Sequence, residues 1–152
     1  MSSMTVEKLT DAYKNLRKFG TPKIEFNVYN GNIDNILALI RSFEDYNSFV
    51  ADDVAEWINL LFEFLPKRYY YEGNPNNGKP EFDKIELQGD TTIILKCFRL
   101  EPFTDEVKRE IENIVNEYGK YMFADEKQFW EETTGYNGVP TAWQYYIRFW
   151  WD

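Results

Sequence analysis

The segment Asp52–Leu65 has one regular way to fold. Val54, Trp57, Ile58, Leu61, Phe62 and Leu65 recur at i, i+3, i+4, i+7, i+8 and i+11, which gathers six large apolar side chains on one stripe of a helix. That stripe must be buried. Asp52 and Asp53 suit the N-terminus, where carboxylates accept from free backbone N–H groups and meet the positive end of the helix dipole, and Pro66 stops the helix. The opposite face carries Asp52, Glu56, Asn59 and Glu63. One helix therefore seeds a core and shows an acidic row to solvent.

The rest of the chain is read against that helix. Thr5–Lys18 has the spacing of a first helix closed by Gly20. After Pro22, Ile24, Phe26 and Val28 alternate with polar residues as in a half-buried strand. Asn30-Gly31-Asn32 is turn chemistry, and Ile33, Ile36, Leu37 and Ile40 predict a short helix to about Phe43. Lys67–Glu72 has the aromatic content of a strand and Gly73–Pro80 that of a loop. Gly89-Asp90 reads as a two-residue hairpin turn that sets Leu87 opposite Thr92, Ile85 opposite Ile94 and Asp83 opposite Lys96.

Thr104 caps a further helix, Asp105 to about Tyr118, with Val107, Ile111, Ile114, Val115 and Tyr118 inward and Glu106, Glu110, Asn113 and Glu117 as a second acidic row. Gly119 predicts a bend, Asp125–Glu132 a short helix, and Thr133–Pro140 a loop. In the terminal strand Trp143, Tyr145, Ile147, Phe149 and Trp151 share one side, and Gln144, Tyr146, Arg148 and Trp150 the other. The sum is an α+β fold: one domain over residues 1–152, a small, mostly antiparallel sheet packed with three to five helices.

Composition narrows the function. With 43% hydrophobic and 18% aromatic residues in 152, the chain can bury a sizeable core and needs no cofactor to fold. Its single cysteine, Cys97, and an N-terminus without an apolar signal stretch point to a reducing, cytoplasmic setting. Ile58–Leu65, the most apolar run, is broken by Asn59 and Glu63, so no membrane span is expected. The net charge is −9, concentrated in residues 34–63 and 101–132, each with six more acidic than basic side chains. Such a field repels phosphate backbones and attracts basic partners.

Motifs for chemistry are few. The chain has no histidine, which removes Ser-His-Asp and Cys-His nucleophilic sites, imidazole general bases and HExxH zinc sites. Without one, Cys97 reads as a small buried hydrophobe, and a single thiol builds no cysteine zinc cluster. Gly73–Lys79 matches G-x-x-x-x-G-K, yet Pro80 stands where a phosphate-binding loop needs Ser or Thr and a helix start. The adjacent pairs Asp52-Asp53, Asp105-Glu106 and Glu131-Glu132 point about 100° apart on a helix and do not converge. No catalytic or metal-binding residue is assigned.

Two features remain. The acidic rows, which an ordinary solvated face also explains, place carboxylates about 6 Å apart, near the phosphate spacing of a nucleic-acid strand, and the Trp-rich C-terminus suits either an interface anchor or a terminal strand that closes the sheet. A small, acidic, aromatic, histidine-free α+β profile resembles that of bacterial toxin-immunity proteins and phage-encoded inhibitors of host defence, anti-CRISPR proteins among them. The resemblance implies a non-catalytic inhibitor that meets a basic nuclease, toxin or defence effector through Glu56, Glu63, Glu106, Glu110, Glu117, Tyr146, Trp150 and Trp151, with no direct nucleic-acid contact. The alternatives are a carboxylate-based hydrolase or small-molecule-binding protein, marked by two carboxylates converging with Arg or Tyr, and a structural or virion subunit, marked by a stable homo-oligomer.

Overall fold

The computed structural model describes residues 23–29 and 32–152; the expected helix Thr5–Lys18 lies outside them. The described chain is α+β, with three helices, a five-stranded sheet and a two-stranded ribbon. In chain order these are β1 (Lys23–Asn27), α1 (Asn32–Arg41), α2 (Ala51–Phe64), β2 (Lys67–Arg68), β3 (Lys79–Pro80), β4 (Lys84–Gln88), β5 (Thr92–Arg99), α3 (Asp105–Tyr121), β6 (Glu126–Tyr136) and β7 (Val139–Trp150). The sheet runs β1-β4-β5-β7-β6 with every neighbouring pair antiparallel, and β2 pairs β3.

The helices share a single core with one face of the sheet. Val54, Ile58 and Leu61 of α2 are fully buried, Leu65 and Phe62 nearly so, and Trp57 packs at the margin. Against them lie Ile36, Leu39 and Ile40 of α1, Ile111 and Val115 of α3, and Ile85, Leu87, Leu95, Ile147 and Phe149 of the sheet. Burying each such side chain is worth about 1.5–3 kcal/mol. Thr104 caps α3 as expected, its hydroxyl accepting from the Val107 N–H at 3.2 Å. The N-terminus of α2 is capped differently: Asp45, not Asp52 or Asp53, accepts from the Ala51 N–H at 2.8 Å.

Further expectations are corrected. The β4–β5 connection is three residues, Gly89 to Thr91, so Ile85 faces Leu95 and Leu87 faces Ile93, one residue out of the expected register. The slip has a physical cause, since it puts Ile85, Leu87, Ile93 and Leu95 together on the core side, whereas Glu86 and Ile94 share the other. Asp125–Glu132 is not a helix; it begins β6, in which Lys127 and Phe129 alternate with more exposed neighbours. Thr133–Pro140 is not a loop but the distal half of the β6–β7 hairpin, closed by Asn137 (φ 52) and Gly138 (φ 78), the positive-φ pair of a type I′ turn. Lys67–Glu72 gives only the two-residue β2, and Tyr69 to Tyr71 stand exposed after it.

Gly119 does not bend the chain. It lies inside α3, where the helix crosses the sheet so closely that an added Cβ would sit 2.5 Å from Lys127 Cδ, 2.9 Å from Lys127 Cβ and 3.2 Å from Phe149 Cε1. The Lys127 Cβ is fixed to a strand and cannot retreat. Gly119→Val is therefore expected to lower unfolding stability by about 2 kcal/mol, within the usual cost of overpacking, read as a drop in the urea midpoint with an unchanged m-value.

Candidate functional site

The two acidic rows come from helices that pack side by side. Trp57 of α2 stacks on Tyr121 of α3 (4.7 Å between centroids), and Phe64 approaches Tyr118 (6.0 Å), so the helices run antiparallel with an aromatic seam. Beside the seam lies a 360 Å³ groove lined by Phe64, Ile114 and Tyr118, with Glu110, Asn113 and Glu117 along its α3 side. Phe64 is 61% exposed. Glu117 accepts a hydrogen bond from the Tyr121 hydroxyl at 2.6 Å. Among the described residues none of Glu56, Glu63, Glu106, Glu110 and Glu117 forms an ion pair, and all five are exposed. The structure thus brings Glu110 and Glu117 to one groove; Glu56, Glu63 and Glu106 stand outside its lining.

The aromatic C-terminus divides. Trp151 is fully buried, its indole N–H donating to the Met122 carbonyl at 3.0 Å and its ring set edge-on to Phe49. As a partner-binding residue it is corrected: the alternation that put it on the inward side decides its fate. Tyr146 and Trp150 lie on the outer side of β7 and are half-buried, Tyr146 stacked on Trp130 at 5.0 Å. Tyr145 points inward, and its hydroxyl donates to Glu131 at 2.6 Å while accepting from the Phe103 N–H at 2.9 Å. Burial and the Glu131 carboxylate push this phenol up to about 12.

Two charge clusters were not legible in the sequence, because they join distant strands. At one end of the sheet the carboxylate of Glu81, 8% exposed, takes Arg99 at 2.7 Å and Arg68 at 3.3 Å. Cys97 lies behind it, and burial, with the Glu81 charge beside it, pushes the thiol up to about 12, so it stays protonated at neutral pH. On the outer face Lys96 bridges Glu25 at 2.6 Å and Glu86 at 3.0 Å, and Gln88 donates to Glu86 at 2.6 Å. Among the described residues no three Cys, Asp or Glu side chains are grouped to hold a metal ion.

Sequence reasoning also missed the exposed apolar group beside these clusters. Tyr69, Tyr70, Phe98 and Leu100 line a shallow 440 Å³ cleft with Arg68 and Arg99. Tyr69 and Leu100 are more than 70% exposed (74% and 71%). The signal was an unbroken tyrosine run between Pro66 and Gly73, which a strand with one face to a core would have interrupted with alternation. A 430 Å³ cleft on the outer sheet face abuts the first, sharing Arg68 and Phe98. The G-x-x-x-x-G-K stretch leads into a strand and not a helix: Lys79 reaches over the Tyr29 ring and to Asn76, and Lys79–Pro80 pairs with Lys67–Arg68.

No protein-family model, characterised protein or solved structure matches the chain. The helices of the described chain include none long and apolar enough to cross a membrane.

The outer ion cluster makes stability depend on pH. Burial alone would raise the Glu86 carboxyl, but hydrogen bonds from Gln88 and Lys96 and the charges of Lys96 and Lys23 outweigh it and hold it below its ordinary 4.5. Its contribution is complete above that value and is lost as pH falls through the lower, folded-state pKa. For Lys96 burial acts downward, but bonding to Glu25 and Glu86 raises it above 10.5, so its contribution is lost only as pH rises through the higher folded-state value. Urea unfolding at pH 7 and pH 3 is expected to show Glu86→Gln less stable than wild type at pH 7, with the gap closing in acid.

Proposed function

We propose that the protein is a non-catalytic inhibitor of the toxin-immunity or phage anti-defence kind, which acts in the cytoplasm by occupying a basic cleft of a nuclease or nucleic-acid-binding protein. The observation that carries this reading is the α2–α3 groove, where an exposed phenylalanine lies beside carboxylates that no cation of the described chain neutralises. Carboxylates with no ion pair among the described residues present their charge outward, where it steers a basic partner and speeds encounter. Phe64 supplies the apolar anchor that slows release once the surfaces meet. Of the C-terminal rings, Tyr146 and Trp150 remain candidates for a secondary contact.

A small-molecule-binding role is the second reading, and one observation favours it. Glu25 and Asp83 line the outer-face cleft together with Arg68 and Tyr146. Each carboxylate there already faces a cation: Glu25 meets Lys96 at 2.6 Å and Asp83 meets Arg68 at 3.9 Å. The pairing supports binding over acid–base turnover.

Pull-down from the native host with the wild-type protein, at low and moderate salt, is expected to enrich a basic nucleic-acid-acting protein. The triple variant Glu106→Lys, Glu110→Lys, Glu117→Lys should weaken capture by about ten-fold or more at low salt, with a smaller effect from Glu56→Lys, Glu63→Lys. Equal capture by all three proteins at low salt would refute the electrostatic model.

A further inference from the structure

The outer-face cleft is built from five elements or their flanks: Glu25 on β1, Arg68 on β2, Lys84 on β4, Lys96 and Phe98 on β5, and Tyr146 on β7. Most of its charges cancel in place. Lys96 and Lys23 share Glu25 and Glu86, and Arg68 and Arg99 share Glu81 and Asp83. Lys84 is different. It is exposed, forms no ion pair among the described residues, and stands directly opposite Lys96 across the β4–β5 ladder. With those pairs balanced two against two, Lys84 leaves this corner of the cleft one positive charge that no described carboxylate pairs, and it favours an anion. Glu25 and Asp83 on the neighbouring walls oppose a second negative charge.

The cleft also offers flat apolar surface. Phe98 is 49% exposed and makes no ring contact among the described residues, and Tyr146 has Trp130 stacked against one face only. Lys96 pairs with Tyr146 and Phe98 with Gln144, which makes Phe98 and Tyr146 diagonal neighbours, about 7–8 Å apart by backbone position. That spacing accommodates one planar ring between them, since each ring-to-ring contact takes about 3.5–4.0 Å. Gln144, exposed on the same wall, accepts from the Tyr146 hydroxyl through its amide oxygen and offers its amide N–H groups to a polar ring edge.

We propose that this cleft binds a small monoanion carried on a flat ring, with the ring between Phe98 and Tyr146 and the charge on the Lys84 ammonium. A cyclic mononucleotide and an aromatic carboxylate both have this chemistry. The site rests on the small-molecule reading of this cleft and is independent of the α2–α3 groove, which lies on other elements.

Isothermal titration of the intact protein separates the two sources and tests the site. The probes are 3′,5′-cyclic AMP and indole-3-carboxylate, with adenosine as a neutral ring and acetate as an anion without one. One of the two ring anions should bind with one-to-one stoichiometry, and tighter than either control. Phe98→Ala and Lys84→Glu, both at exposed positions, should each weaken it by about ten-fold or more, the order expected from losing one stacked ring or the paired charge. Glu110→Lys, on the helix face, should leave it unchanged. No binding of either ring anion would overturn the proposal. So would acetate or adenosine matching the ring anion, or affinity indifferent to both cleft substitutions.

Discussion

The described fold depends on the burial of one helical stripe. Val54, Ile58 and Leu61 are inaccessible to water because α1, α3 and the inner sheet face all close on them. The hydrophobic effect does not specify direction, so the orientation comes from what cannot be buried. Glu56 and Glu63 hold the opposite side of α2 in solvent, and Glu106, Glu110 and Glu117 do the same for α3. The acidic surface and the core are thus two outcomes of one alternation, and the aromatic seam of Trp57, Tyr118 and Tyr121 joins the helices where the two meet.

The parts of this architecture that follow local rules could be read from the chain. The α2 stripe, the Thr104 cap and the inward side of β7 all rest on spacings within about a dozen residues, and each is found where it was expected. What could not be read involved competition between local and distant preferences. Glu126 to Glu132 is rich in residues that favour helices, yet Phe129 and Trp130 gain more by pairing with Ile147 and Tyr146. The β4–β5 register was decided by the core face, not by the turn alone. Asn137-Gly138 was a local signal, hidden among Gly135 and Pro140 in what looked like a plain loop.

The same distinction separates the candidate sites. Acidic rows on helices are visible as a period in the sequence, whereas the outer-face cleft unites Glu25, Lys84, Phe98 and Tyr146 from strands far apart in the chain. No spacing rule links them. Its fixed ion pairs show how an acidic protein can maintain a locally cationic corner: Lys23 and Lys96 share Glu25 and Glu86, Arg68 and Arg99 share Glu81 and Asp83, and Lys84 is left to face outward. The sign of the whole molecule and the sign of one cleft are separate quantities.

Pro140 shows where the hairpin stops belonging to the sheet. β5 follows β7 only as far as Trp143, so beyond that point β7 has β6 as its single partner and a residue without an N–H breaks no ladder on the free side. The distal turn is accordingly decoupled from the core, with Tyr136 and Val139 at its base 77% and 62% exposed. A decoupled, solvent-bathed tip of this kind accepts inserted sequence without transmitting strain inward. It is the natural position for an epitope or a fluorophore by which the molecule can be followed while both candidate surfaces stay uncovered.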